Sequence, residues 1–132
     1  MKKVKFDNSQ SIAMQRALGE TVTPDQSEVL KLEGWLVDDH VCVQKPMPDD
    51  DAGWRVSLYP WGHRISFDFF TKDDAVEYAK DVSKLGVDWA TIYSAENFAE
   101  TKEFKSALTQ LIALRDLYEA NGYFKSRDDD PS

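Results

Sequence analysis

Two runs constrain this chain more than any other stretch. WRVSLY at 54–59 and RISFDFF at 64–70 each alternate apolar and polar side chains, and only Pro60-Trp61-Gly62-His63 separates them. Residues opposite one another in an antiparallel pair share a face of the sheet, so the pairing can be argued from the side chains themselves. Setting Leu58 against Ile65, Val56 against Phe67 and Trp54 against Phe69 collects the large apolar residues on one side. The other side then pairs Tyr59 with Arg64, Ser57 with Ser66 and Arg55 with Asp68. The last is a cross-strand ion pair, which stabilises by ~0.2–1 kcal/mol.

Upstream, WLV at 35–37 and VCVQK at 41–45 are short β-like runs bounded by DDH and PMPDDDAG, and with the hairpin they predict an antiparallel meander of four to five strands. Two short helices are expected before it. SQSIAMQRALGE offers Ser9 or Ser11 as a cap and Gly19 as a stop. In TPDQSEVLKLEG, Thr23 stands at an N-cap, Pro24 at the first helical position and Gly34 past the end, although VLKLEGWL also alternates as a strand would.

After the hairpin, Thr71 opens a capping box with Asp74 and starts a crossover helix at about 72–85. Its Ala75, Tyr78, Ala79, Val82 and Leu85 gather on one face, and Asp73, Glu77, Lys80, Asp81 and Lys84 on the other. VDWATIY at 87–93 reads as a further strand joining the sheet. Asn97, with Glu100 three residues on, opens a long C-terminal helix at about 98–121, whose stripe of Phe104, Ala107, Leu108, Leu111, Leu114 and Tyr118 is suited to burial, widened by Ile112 and Leu117. The fold class is α+β in one domain over residues 1–124, with 125–132 a disordered acidic tail.

The 132 residues supply enough apolar material for one core, and no run reaches the ~18 apolar residues of a membrane span. MKKVKFDNSQ has no apolar stretch behind its lysines, so it does not read as a signal peptide, and a cytoplasmic location is expected. Cys42 is the single cysteine, which excludes an internal disulfide. The net charge of −8, most of it from residues 41–100, disfavours phosphate backbones and anionic membranes.

The glycines form neither a P-loop nor a dinucleotide fingerprint, and no nucleophile elbow, two-histidine metal helix or deaminase-type cysteine pair is present. No cofactor and no metal is therefore expected. His40 and Cys42 could share a side of one strand and His63 approach from the hairpin loop, but no spacing supplies a third member. A calcium loop starting at Asp49 would need a bidentate Glu at its twelfth place, where Pro60 stands. An α-β-β-β-α order invites comparison with double-stranded RNA-binding domains, yet the start of the crossover helix carries Asp73 and Asp74 where such domains need basic residues.

These exclusions favour a non-enzymatic, acidic, protein-binding module. Its candidate contact residues are Trp61, as an aromatic anchor in a loop, His63 beside it, and the loop carboxylates Asp38, Asp39, Asp49, Asp50 and Asp51. The expected partner is a protein with a basic surface, reached without direct nucleic-acid or membrane contact. A sharper form is an inhibitor that occupies the nucleic-acid site of its target, as anti-restriction and anti-CRISPR proteins of phages and mobile elements do. The alternatives are a homodimeric adaptor joined through the C-terminal helix and a small enzyme using Asp68 and His63 as acid and base.

Overall fold

A computed structural model of the protein describes residues 1–7, 9, 10, 12, 29, 31–46 and 53–124. Five strands pair in chain order as one antiparallel meander: β1 (Lys2–Asp7), β2 (Lys31–Leu36), β3 (Val41–Gln44), β4 (Arg55–Leu58) and β5 (His63–Arg64). Helices α1 (Lys72–Lys84) and α2 (Trp89–Ser94), a 3-10 turn at Phe98–Glu100 and helix α3 (Lys102–Ala120) follow. The chain thus has the α+β class and the meander that its alternation predicts.

Strand β1 was not expected in the basic N-terminal segment. Its sequence alternates nevertheless: Val4 is buried and Phe6 half-buried, while Lys3 and Lys5 each lie 3.9 Å from Glu33 on β2. Lysines on an edge strand also discourage pairing with another chain. Of the first expected helix, Ser9, Gln10 and Ile12 are helical and the rest lies outside the described residues. The second lies outside them too, except for Val29 and for Lys31–Gly34, which belong to β2. Gly34 is therefore not a helix stop. A Cβ there would stand 2.5 Å from both the Cys42 Sγ and the Val43 carbonyl oxygen, so close packing of β2 on β3 requires glycine.

The hairpin keeps one end of the expected register and shifts the other. Trp54 and Phe69 exchange both backbone hydrogen bonds, at 3.0 and 2.7 Å, and Arg55 Nε donates to Asp68 Oδ1 at 2.7 Å. Nearer the turn, Leu58 pairs with His63 and Ser57 with Arg64, a two-residue offset from the straight pairing, so Leu58–Ile65, Val56–Phe67, Tyr59–Arg64 and Ser57–Ser66 are not opposite pairs. Side chains replace the interrupted ladder. Ser66 Oγ accepts the Val56 N–H at 2.8 Å and donates to the Phe67 carbonyl at 2.8 Å, and the buried Tyr78 hydroxyl donates to the Ile65 carbonyl at 2.8 Å.

Thr71 caps α1 as expected, accepting the Asp74 N–H. The expected strand at 87–93 is instead α2. Asp88 accepts from the Thr91 amide at 3.2 Å and its hydroxyl at 2.8 Å, and the three-residue spacing of Trp89 and Ile92 turns both into the core. Helix α3 begins at Thr101, which accepts from the Phe104 amide, rather than at Asn97, whose φ of 53° is left-handed. Along its expected buried stripe, Ala107, Leu111 and Tyr118 are buried and Phe104 and Leu114 half-buried, whereas Leu108, Ile112 and Leu117 are exposed.

Strand β3 is buried along its whole length. Val41 and Val43, with Val56 and Leu58 of β4, share one cluster with Ala75, Tyr78, Ala79 and Val82 of α1, all of them fully excluded from solvent. Each such Val or Leu side chain contributes roughly 1.5–3 kcal/mol by burial. On the other face lie Cys42, Gln44 and Ser57, with Ser57 Oγ donating to Gln44 Oε1 at 3.0 Å. A buried polar pair satisfied in this way avoids the cost of an orphaned group.

Candidate functional site

The turns at one end of the meander bring together several of the residues singled out by sequence. Between β2 and β3, Asp38 Oδ1 accepts the His40 and Val41 amides, both at 2.8 Å, so this carboxylate shapes the turn and leaves Asp39 exposed beside it. Between β4 and β5 the chain turns through Tyr59, Pro60, Trp61 and Gly62, with a cis Tyr59–Pro60 bond and Gly62 at φ 74°. The two turns are tied to each other. The Tyr59 amide donates to the His40 carbonyl at 2.8 Å, and His40 Nδ1 donates to the Tyr59 carbonyl at 3.0 Å.

Trp61 is half-buried and in contact with two rings, His40 at 5.2 Å and 34° and Tyr93 of α2 at 4.6 Å and 30°. Each aromatic contact of this kind adds roughly 0.5–1.5 kcal/mol beyond its buried area. His63 Nδ1 and the Tyr93 hydroxyl are hydrogen-bonded at 2.7 Å, and burial pushes the acidity of that hydroxyl well below its ordinary level, raising its pKa. Both histidines of the chain therefore meet the Trp61–Tyr93 stack. Asp88 is exposed at the start of α2, within electrostatic reach of His40. The Thr91 hydroxyl and amide hold its carboxyl below the usual range, and the nearby His40 acts in the same direction.

Sequence reasoning singled out Trp61, His63, Asp38 and Asp39 but not the partners that immobilise them. Tyr93 and Asp88 were placed on a strand; the Asp-x-x-Thr spacing at 88–91 is the helix-start signal that could have found them. Asp49, Asp50 and Asp51 lie outside the described residues. The strand ends that flank them, Gln44 and Arg55, are paired at the end of β3 opposite Asp38 and Asp39.

The other candidate chemistry is drawn apart. Asp68 is buried against Arg55 and lies 3.9 Å from Arg64, whereas His63 turns to Tyr93, so the proposed acid and base have different partners. Cys42 is wholly buried, and burial pushes its thiol up to about 12. It is a thiol and not a nucleophilic thiolate at neutral pH. No group of three or more His, Cys, Asp or Glu suited to a metal gathers among the described residues, and no helix among them is long and apolar enough to cross a membrane. In comparisons with protein-family models, curated proteins and solved structures, the chain matches none.

Proposed function

We propose that the protein is a non-enzymatic binding module whose paired-turn end docks on a basic surface of a protein partner. The observation that carries this reading is the ring contact of Trp61 with both His40 and Tyr93, where His40 follows the exposed Asp39 in the chain and acts electrostatically on the exposed Asp88. A pre-stiffened aromatic loses little entropy on binding, and carboxylates beside it select Arg and Lys on the partner. The net charge of −8 steers the same encounter at long range. The finer form of the proposal is inhibition: the basic surface is the nucleic-acid site of the target, in the manner of anti-restriction and anti-CRISPR proteins.

The test is capture of partners from the source cell by the full chain, identification by mass spectrometry, and titration of the purified partner from about 0.05 to 0.5 M salt. Affinity should fall steeply with salt and fall again with Asp39→Asn. Salt-independent binding, or binding indifferent to Asp39→Asn, would sink the reading. For the inhibitor form, a nucleic acid bound by the partner should compete with the protein.

A second reading, a homodimeric adaptor, is favoured by the exposure of Leu108, Ile112 and Leu117 on α3. Light scattering decides it: a monomer mass at every concentration removes it.

A further inference from the structure

The outward side of α3 carries a pattern that its packing on the core does not use. Lys105, Leu108, Ile112, Asp116 and Glu119 follow one another at steps of three, four, four and three residues. At 100° per residue they fall within about 80° of the helix circumference. Leu108 and Ile112 are 40% and 39% exposed, and the three charged side chains are exposed as well. Leu117 is exposed too, but it falls about 140° round the helix from Ile112 and belongs to the other flank. The stripe has the same spacing read from either end, and its charge reverses: a cation stands seven residues before Ile112, and anions four and seven residues after it. Among the described residues none of Lys105, Asp116 and Glu119 has an ion-pair partner.

We infer that this stripe is the contact face for a second copy of the chain, the two α3 helices packing antiparallel about a twofold axis at Ile112. The inference rests on the homodimer reading above and deepens it by naming the face, the direction and the pairs. Rotation about that axis sets Lys105 of each copy, about 10 Å along the helix from Ile112, level with Glu119 of the other and within a turn of its Asp116. Each end of the contact then joins one lysine to two carboxylates, with Leu108 and Ile112 of both copies between the ends. A parallel copy would set lysine on lysine and carboxylate on carboxylate, and would align the two macrodipoles. A cavity of about 300 Å³ opens beside the stripe, with Leu108, Leu111, Ile112 and Arg115 in its wall. The same rotation brings Leu108 of the second copy to the Arg115 side of Ile112, where it covers that cavity with an apolar side chain. Phe104, near the start of α3, meets Tyr93 at 6.5 Å, so antiparallel helices hold the two Trp61 anchors at opposite ends of the pair. An adaptor needs that arrangement to bridge two partners.

The test is sedimentation equilibrium of the full chain, with circular dichroism to check that each variant folds. One helix pair buries an area at the low end of specific interfaces, so the range is about 10 µM to 1 mM protein. Salt is held at about 0.15 M to screen the repulsion of two acidic chains. A monomer to dimer equilibrium is expected. Lys105→Glu sets like charges at both ends and should weaken it about tenfold, and Ile112→Arg, on the axis, should abolish it. Lys31→Glu, an equal change of net charge at an exposed place on β2, should leave it unaltered. Adding Asp116→Lys and Glu119→Lys to Lys105→Glu reverses every charge of the stripe and should restore the wild-type constant. A monomer at every concentration overturns the inference and the homodimer reading together. A dimer indifferent to Lys105→Glu, weakened as much by Lys31→Glu, or not restored by the triple reversal overturns the antiparallel stripe and leaves the homodimer reading standing. A monomer whose captured partner protein is lost with Ile112→Arg but kept with Asp39→Asn assigns the face to a different protein instead.

Discussion

Replacing Ser66 with Ala tests the hairpin most directly, because one hydroxyl there closes a gap in the backbone ladder. Ser66 Oγ is the acceptor of the Val56 N–H at 2.8 Å, and Val56 has no solvent exposure from which water could replace it. Orphaning that donor costs about 1–3 kcal/mol, and losing the bond from Ser66 to the Phe67 carbonyl adds roughly 0.5–1.5 kcal/mol. Removing a hydroxyl from a buried site leaves only a small void, so the expected loss is about 2–4 kcal/mol. In a chain of this size each kcal/mol lowers Tm by roughly 3–5 °C. Urea unfolding followed by tryptophan fluorescence gives the first number, and amide hydrogen exchange at Val56 reports the cause. A change below about 0.5 kcal/mol with Val56 still protected would refute the reasoning, since the amide must then have found another acceptor, as a slip toward the straight register would provide.

Three further outcomes are expected. Gly34→Ala should destabilise by roughly 1–3 kcal/mol or more in urea unfolding, because its Cβ would meet both Cys42 Sγ and the Val43 carbonyl oxygen at 2.5 Å; adding Cys42→Ala should restore only part, since the carbonyl cannot move aside, and full rescue would contradict this. Cys42 and Tyr78 both have raised pKa values through burial, so the folded chain keeps protons that the unfolded chain gives up. Stability should therefore be complete below about pH 9 and fall as pH rises from there toward 12, by about 1.4 kcal/mol per pH unit for each proton difference; unfolding midpoints at a series of pH values check the slope, and a thiol reagent that modifies native Cys42 at the unfolded rate would refute it. Lys72→Met removes an ammonium 3.9 Å from the Trp35 ring centroid and 5.9 Å from that of Trp54, with an expected loss of roughly 0.5–1 kcal/mol and a changed tryptophan emission; an unaltered spectrum would mean the cation does not sit on these rings.

What the sequence made legible was local or strictly pairwise. The acids of FDFFTKDDAVEYAKDV separate as their spacing suggests. Asp68 meets Arg55 across the hairpin, Asp74 sits in the box opened by Thr71, and Asp81 lies 3.8 Å from Lys84. Even here a distant partner escaped notice, since the Tyr118 hydroxyl donates to Asp81 at 2.6 Å from α3. The readings that failed needed the third dimension first. VDWATIY satisfies both an alternating and a three-residue period, and only the Asp88 cap and the burial of Trp89 with Ile92 decide between them. The hairpin shift was equally hidden, because a straight register places the apolar residues as well as the true one does; Ser66 and Tyr78 stabilise the offset through hydrogen bonds that no alternation encodes.

The same distinction governs Trp61. From sequence, a tryptophan between Pro60 and Gly62 can be a packed loop residue or a binding anchor, and the two readings compete. Once His40 and Tyr93 are known to pack on it they cease to compete, for the contacts that bury one part of the indole also fix the orientation of what remains accessible. A rigid anchor concentrates its binding energy in few degrees of freedom, so substitutions at Tyr93 should weaken partner binding without Tyr93 touching the partner. Tyr93→Leu keeps an apolar body but loses the stack and the bond to His63, and it should lower partner affinity more than it lowers stability. Equal losses in both would mean that Trp61 serves the fold alone.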